Sequence, residues 1–398
     1  MKKITQKPSK KPVTRTKSVI TSSLVSATGL MAESPEPPRI HSKSAAVKGT
    51  LHELYRSDSS ELILYIAANR SQVEMACVMA QQSVFSSLIY SEGYDFHDCT
   101  TRYSRPSFVS SIRSVAAILK RVTRLVTYIG QVNPNIKKEY TNLLATALKI
   151  ELPIIEVPHG LIQSGYNLDD DSRIIDLSSY YEGIGSSLPS IASMRLGWYG
   201  KNSIGYPRSS IQEFRYDRSL PKYTLITTNT NWFLYSAEDK RHFFSMVFEH
   251  VENNPSRLFI WSPHPAESNE QTYSNHVLPL RPSNLLLYGL KNDVYFDGIE
   301  TSNDLIAHCS NGISTVTTCL LEYEIHNKDV LIFQTYGVSA LLEGFETMTV
   351  FTSDMKALPA SGPIKTGMLE VYNPKRFDEY LIWAPKSEKT NSVFLELA

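Results

Sequence analysis

From Glu61 onward, short apolar runs alternate with amphipathic stretches of helical length, and this alternation is the feature that most limits what the chain can fold into. Switching between strand and helix periodicity in this way builds βαβ units around a parallel sheet. The first half reads as an apolar strand at 62–67, a helix at 71–87, a helical stretch at 107–120, a strand at 124–129, a helix at 136–148 and a strand at 153–157. Ser71, with Glu74 three residues later, has the pattern of a capping box at the start of the first helix. Residues 169–220 carry acidic, Ser-rich, Gly-rich and Pro-rich patches without a sustained period, as expected of loops and a crossover.

A second alternation then starts. It has a strand at 223–228, a helix at 236–251 with Glu238 and Asp239 in its first turn, and a strand at 257–261 that runs into Ser262-Pro263-His264-Pro265. Short apolar runs at 285–287 and 294–296 flank a loop, and residues 304–307, a helix-like 315–325 and a strand at 330–333 complete the half. The last helical stretch is 374–383. The chain has 398 residues, more than one hydrophobic core usually organises, so the expected fold is α/β with two Rossmann-like domains facing a central cleft.

Composition excludes several function classes. Lys+Arg and Asp+Glu are equal at 40 each, so no bulk field favours nucleic acid. The four cysteines, Cys77, Cys99, Cys309 and Cys319, form no CxxC pair or metal-ligand spacing, which fits a reducing compartment and a cytoplasmic location. No run approaches the length of a membrane span. Seven Lys/Arg between Lys2 and Lys17, with no acid before Glu33, make residues 1–50 a basic leader. The expectation is a solvated, disordered leader; attraction to anionic lipid at the inner membrane face is the alternative reading. The apolar run at 19–31 is interrupted by Ser, Thr and Gly, which makes it weak as a secretory signal.

Ligands of open parallel sheets bind beyond the carboxyl ends of the strands. Three places there carry chemistry. In Ile154-Ile155-Glu156-Val157-Pro158-His159-Gly160, an imidazole follows a buried strand and can serve as a general base; it can equally cap the strand. His264 lies between Pro263 and Pro265, whose rings restrict the backbone and fix the direction of the imidazole. Ser310-Asn311-Gly312-Ile313-Ser314-Thr315-Val316-Thr317-Thr318 reads as a polar loop opening a helix, a setting for a phosphate or for an ordinary N-cap. Glu322, two turns into that helix by this reading, can reach a ribose or face solvent. Glu92, in Ser91-Glu92-Gly93, offers a carboxylate base or a turn. The run Asp169-Asp170-Asp171 has no matched ligand set, so no metal site is expected. Walker, GxSxG, HExxH and GxGxxG motifs are absent.

Taken in order, Glu156-Val157-Pro158-His159-Gly160-Leu161-Ile162 with Gly165-Tyr166, then Trp261-Ser262-Pro263-His264-Pro265, then Ser314-Thr315, resemble the blocks of bacterial capsule and surface-polymer transferases of the GT-B type. These include capsule β-Kdo transferases, CDP-glycerol glycerophosphotransferases and bacterial sialyltransferases. The resemblance spans 62–333 by order and spacing. It lacks the paired-acid-Gly motif of the sialyltransferases and has Asn311-Gly312-Ile313-Ser314-Thr315 in place of the Asp-Tyr-Ser-Ser block of the glycerophosphotransferases.

The resemblance implies an acceptor domain at 51–215 and a nucleotide-donor domain at 216–398. It further implies a glycosyltransferase that moves a sugar from a nucleotide donor, CMP-linked by preference, to a glycan or glycolipid acceptor in capsule or lipopolysaccharide synthesis. The nucleotide-sugar is then a substrate, and no cofactor is expected. His264, Pro265, Ser314, Thr315, Thr317 and Glu322 would hold the donor, and His159, Glu156 or Glu92 would take the acceptor proton. A CDP-alditol phosphotransferase and a non-catalytic nucleotide-sugar-binding scaffold subunit are the alternatives.

Overall fold

The computed structural model describes residues 61–128, 137–158, 160, 194–196, 203–210, 220–229, 235–264, 267, 280–288, 296, 299, 301–335, 349–364 and 369–383. The basic leader, His159, Pro265, Gly165-Tyr166 and the acidic run at 169–171 lie outside the described residues.

The first half runs β1 (Leu62–Ile66), α1 (Arg70–Gln82), β2 (Ser86–Tyr90), α2 (His97–Arg102), β3 (Ser107–Val109), α3 (Ile112–Ile118), β4 (Val122–Thr127), α4 (Lys138–Lys149), β5 (Ile154–Glu156) and β6 (Met194–Arg195). All its strand pairs are parallel, in the order β3-β2-β1-β4-β5-β6. Every residue of β1 is buried, because the sheet is covered on both faces. Ile63 and Tyr65 join a core with α1, whereas Leu62, Leu64 and Ile66 join a separate core with Val115 of α3 and Leu143 and Leu144 of α4. Alternation along one strand thus feeds two layers, each such aliphatic side chain contributing about 1.5–3 kcal/mol.

The second half runs β7 (Tyr223–Thr228), α5 (Ala237–Glu252), β8 (Leu258–Pro263), β9 (Leu285–Leu287), α6 (Ser302–His308), β10 (Asn311–Ser314), α7 (Cys319–Ile325), β11 (Asp329–Phe333), β12 (Thr349–Phe351) and β13 (Gly362–Pro363). Its parallel order is β12-β11-β10-β7-β8-β9, with β13 antiparallel on β11. Counted from its own first strand this is the same doubly wound order as in the first half, and each sheet reverses direction between its first and fourth strands. The two Rossmann-like halves expected for a GT-B protein are therefore present.

The last helix, α8 (Pro374–Trp383), comes from the 216–398 segment but packs on the first half. Phe377 and Leu381 enter the core shared by Ile63 and α1, and Asp378 accepts hydrogen bonds from Ser83 Oγ (2.6 Å) and Val84 N (3.1 Å). The two passages between the halves run side by side: Tyr206 N donates to the Glu370 carbonyl (2.9 Å) and Asn373 N to the Ile204 carbonyl (2.8 Å). Gly205, at φ +73, allows this approach, since a Cβ there would run into the Val371 carbonyl.

Three sequence expectations are corrected. The first helix is capped by Asn69, whose side chain accepts from Gln72 N (3.0 Å), and not by Ser71, which lies inside it. The stretch read as helix at 71–87 runs into the start of β2, and that at 107–120 contains the whole of β3, because short apolar runs do not distinguish buried strand from buried helix. The supposed polar loop around 311–314 is β10, central in its sheet. Its polar groups are satisfied there: Asn311 Oδ1 accepts from Thr224 Oγ1 (2.7 Å), and Asn311 Nδ2 donates to Ser361 Oγ (2.9 Å). Gly312 leaves room for the buried Tyr323 ring of α7, into which a Cβ would run.

Candidate functional site

In the second half the strand order reverses between β7 and β10, and His264, Ser314 and Thr315 lie at the carboxyl ends of β8 and β10. Parallel pairing sets Ser314 beside Thr227 and Pro263 beside Thr228, so the three strand ends stand level.

His264 follows β8 and its side chain is exposed at this edge. Its main-chain N–H donates to Glu267 Oε2 (2.8 Å) and to the Thr228 carbonyl (3.1 Å), which ties the turn to β7. Partial desolvation of the ring pushes the imidazole pKa below its ordinary value, against the upward pull of the Glu267 carboxylate. A lowered pKa favours the uncharged ring, which can donate from one nitrogen and accept at the other.

Ser314 and Thr315 are fully buried and bonded inward. Ser314 Oγ lies 2.8 Å from Thr227 Oγ1 and donates to the Thr315 carbonyl (2.8 Å) or the Thr227 carbonyl (3.2 Å). Thr315 Oγ1 accepts from Asn229 N (2.8 Å), and Val316 N donates to the Tyr235 hydroxyl (2.8 Å). Thr317 Oγ1 accepts from Cys319 N (3.2 Å), while Leu320 N donates to the Thr317 carbonyl (3.1 Å). The expectation that these hydroxyls face a phosphate is corrected for Ser314 and Thr315. They brace the strand ends that would face it, because a buried hydroxyl must find partners within the protein.

Glu322 also differs from expectation. It lies in the first turn of α7, is 4% exposed, and faces neither solvent nor a free surface. Its Oε1 accepts from the Tyr206 hydroxyl (2.6 Å) and pairs with Arg208 Nε (3.2 Å), and Arg208 Nη2 pairs with Glu74 Oε2 of α1 (3.1 Å). This chain of charges, carried by the 207–210 turn, joins α7 of the second half to α1 of the first. Burial pushes the Glu322 carboxyl pKa up against the opposing pull of the Arg208 guanidinium.

The two carboxylates offered as bases are also occupied or covered. Glu92 Oε2 accepts from the Tyr90 hydroxyl (2.7 Å) and from Ile112 N (2.9 Å), the first amide of α3, so it caps that helix. Glu156 ends β5 and is buried at 1% exposure. His159 and Pro265 lie outside the described residues, so the juxtaposition of His159 with His264 does not enter the geometry.

Sequence reasoning missed Glu267, Thr228, Tyr206 and Arg208. The Glu267 signal was legible as a carboxylate three residues after His264, the spacing that closes a single turn. Arg208 and Tyr206 lay in a stretch without period and had no such signal. Among the described residues no group of three or more His, Cys, Asp and Glu is placed to hold a metal ion, and no helix is long and apolar enough to cross a membrane.

No protein-family model matches the sequence, and no curated protein does. Among solved structures, the chain is similar to an S. aureus MnaA–UDP co-structure, at 12% identity and TM-score 0.48, over 81% of this chain and 88% of that one. It is similar to the UDP-GlcNAc 2-epimerase from Methanocaldococcus jannaschii, at 10% identity and TM-score 0.47, over 81% and 99%. It is also similar to the E. coli ADP-heptose lps heptosyltransferase II, at 9% identity and TM-score 0.36, over 85% and 99%. Likenesses this loose carry no functional argument.

Proposed function

We propose that this chain is a metal-independent glycosyltransferase that moves a sugar from a nucleotide-activated donor, CMP-linked by preference, to a glycan or glycolipid acceptor, as in capsule or lipopolysaccharide synthesis. One observation carries the reading. The exposed imidazole of His264 stands on a turn bonded to β7, at the strand ends beside the reversal point of a doubly wound sheet. That is where such sheets bind nucleotides.

In the proposed reaction the acceptor oxygen bonds to the anomeric carbon as the bond from that carbon to the phosphate oxygen breaks. The nucleotide leaves with the electron pair. A neutral His264 donates a hydrogen bond to the phosphate oxygen on which charge grows, a role that depends on a donor held in place beforehand. Ser314, Thr315 and Thr317 act indirectly, by fixing the backbone that surrounds the phosphate. The acceptor proton passes to His159, since Glu92 is committed to α3 and Glu156 is covered. The inward commitment of the Ser314 and Thr315 hydroxyls favours a second reading, a subunit that binds a nucleotide-sugar without turning it over.

A thermal-shift panel of CMP, CDP, UDP and GDP on the purified protein and on His264→Ala tests the assignment. A nucleotide at about a hundred times its Kd stabilises a single site by about 2.7 kcal/mol. Selective stabilisation by one nucleotide, lost in His264→Ala, is the expected result. No shift with any of the four overturns the nucleotide reading. Binding without transfer to any glycan acceptor, or with transfer of a phospho-alditol from a CDP-alditol, selects one of the alternatives.

A further inference from the structure

We infer that Glu267 is the positioning residue of this site, holding the turn from His264 to Glu267 so that the imidazole stands at the carboxyl ends of β7 and β8. The inference rests on the reading of His264 given above and adds the group that sets its place.

Glu267 is 2% exposed, and burying a carboxylate is costly unless it is well bonded. A single oxygen, Oε2, receives the Thr228 hydroxyl at 2.6 Å and the His264 amide at 2.8 Å. The direction of the first bond is fixed by its neighbour: Trp261 Nε1, a donor only, gives its proton to Thr228 Oγ1 at 2.9 Å, so the lone hydroxyl proton of Thr228 is turned to the carboxylate. The Glu267 amide returns to the His264 carbonyl at 2.8 Å and closes the turn. Thr228 of β7, oriented by Trp261 of β8, and the His264 main chain thus meet on one buried carboxylate.

Hydrogen bonds to charged acceptors are the stronger class and hold their geometry better than neutral ones. A turn required only to leave the sheet would not need a buried charge. The Glu267 carboxylate also acts on the His264 ring, drawing its pKa upward.

The test uses the full-length protein with labelled histidines, the His264 signal being identified among the ten histidines by its loss in His264→Ala. In Glu267→Gln the His264 titration moves to lower pH than in wild type, because the charge opposing desolvation is gone. Affinity for the nucleotide selected in the panel falls about tenfold, the lower end expected for loss of one charge-assisted bond. Glu267→Asp, which keeps the charge and shortens the reach, restores the titration and part of the affinity, and serves if Glu267→Gln fails to fold.

A folded Glu267→Gln with wild-type titration and affinity overturns the inference, as does Glu267→Asp with the titration of a charge-free variant. A purely structural role for Glu267 lowers the melting temperature without moving the titration. If wild type responds to none of the four nucleotides, the nucleotide reading fails by itself, and the titration still decides whether Glu267 governs His264.

Discussion

Replacing Arg208 with Met removes the guanidinium that links Glu322 to Glu74 while keeping an unbranched apolar side chain in its place. In wild type the Arg208 and Glu322 side chains are 9% and 5% exposed, so the pair is not screened as a surface ion pair would be. Breaking a buried pair by removing one partner costs about 3–5 kcal/mol. Glu322 keeps the Tyr206 hydroxyl and Glu74 keeps Arg70 at 3.2 Å, which places the expected loss near the lower end, about 3 kcal/mol at neutral pH. Urea unfolding followed by tryptophan fluorescence measures it.

The loss must also depend on pH. The folded-state pKa of Glu322 is raised by burial, so its favourable contribution is complete below the ordinary glutamate range and disappears as pH rises through the folded value. Without Arg208 that value moves higher still, and the ionised carboxylate becomes more costly. Arg208→Met should therefore be mild near pH 5 and severe near pH 8. The double variant Arg208→Met with Glu322→Met should recover most of the loss, since an apolar pair of similar volume commonly replaces a buried ion pair at little or no cost. An equal penalty at both pH values, or additive losses in the double variant, would refute the reasoning.

Other outcomes follow from the same geometry. Gly312→Ala drives a methyl group into the buried Tyr323 ring and should cost about 1–3 kcal/mol in thermal or urea unfolding, with Tyr323→Leu relieving part of it. Asp378→Ala leaves Ser83 Oγ and Val84 N without their acceptor and should cost about 1–3 kcal/mol, seen first as faster hydrogen exchange in α8. Uniform exchange across both halves would contradict a local role for that anchor.

Several elements were legible residue by residue. The strand Tyr223–Thr228 and the helix Pro374–Trp383 have the bounds read from the sequence, and α5 begins after Ser236, whose side chain and that of Asp239 form a reciprocal capping box. These segments carry strong local signals: β-branched residues bounded by polar turns, acids in a first turn behind a serine, or, for α8, a proline at the first helical position. β2 was lost because its apolar run, SSLIY, follows α1 with only a brief interruption. β10 was lost for the opposite reason, having too little apolar character to read as a buried strand. Its neighbours Thr224 and Thr227 make polar side chains tolerable there, and no window of local sequence contains those partners.

The sequence by itself determined that the chain builds two parallel α/β halves, and that imidazoles and hydroxyls fall just after strands. Hydrophobic period is a local property, and so is the rule that puts ligands past strand ends. Only the tertiary structure decided what each polar group does once there. It turned Ser314 and Thr315 inward, tied Glu92 to α3, and moved Glu322 from a donor contact to an ion pair with Arg208. It also bonded the buried Glu267 carboxylate to the His264 amide and laid α8 on the half opposite its own segment. These outcomes depend on partners many residues away, brought close by packing, and a buried polar group takes its role from whichever partner satisfies it.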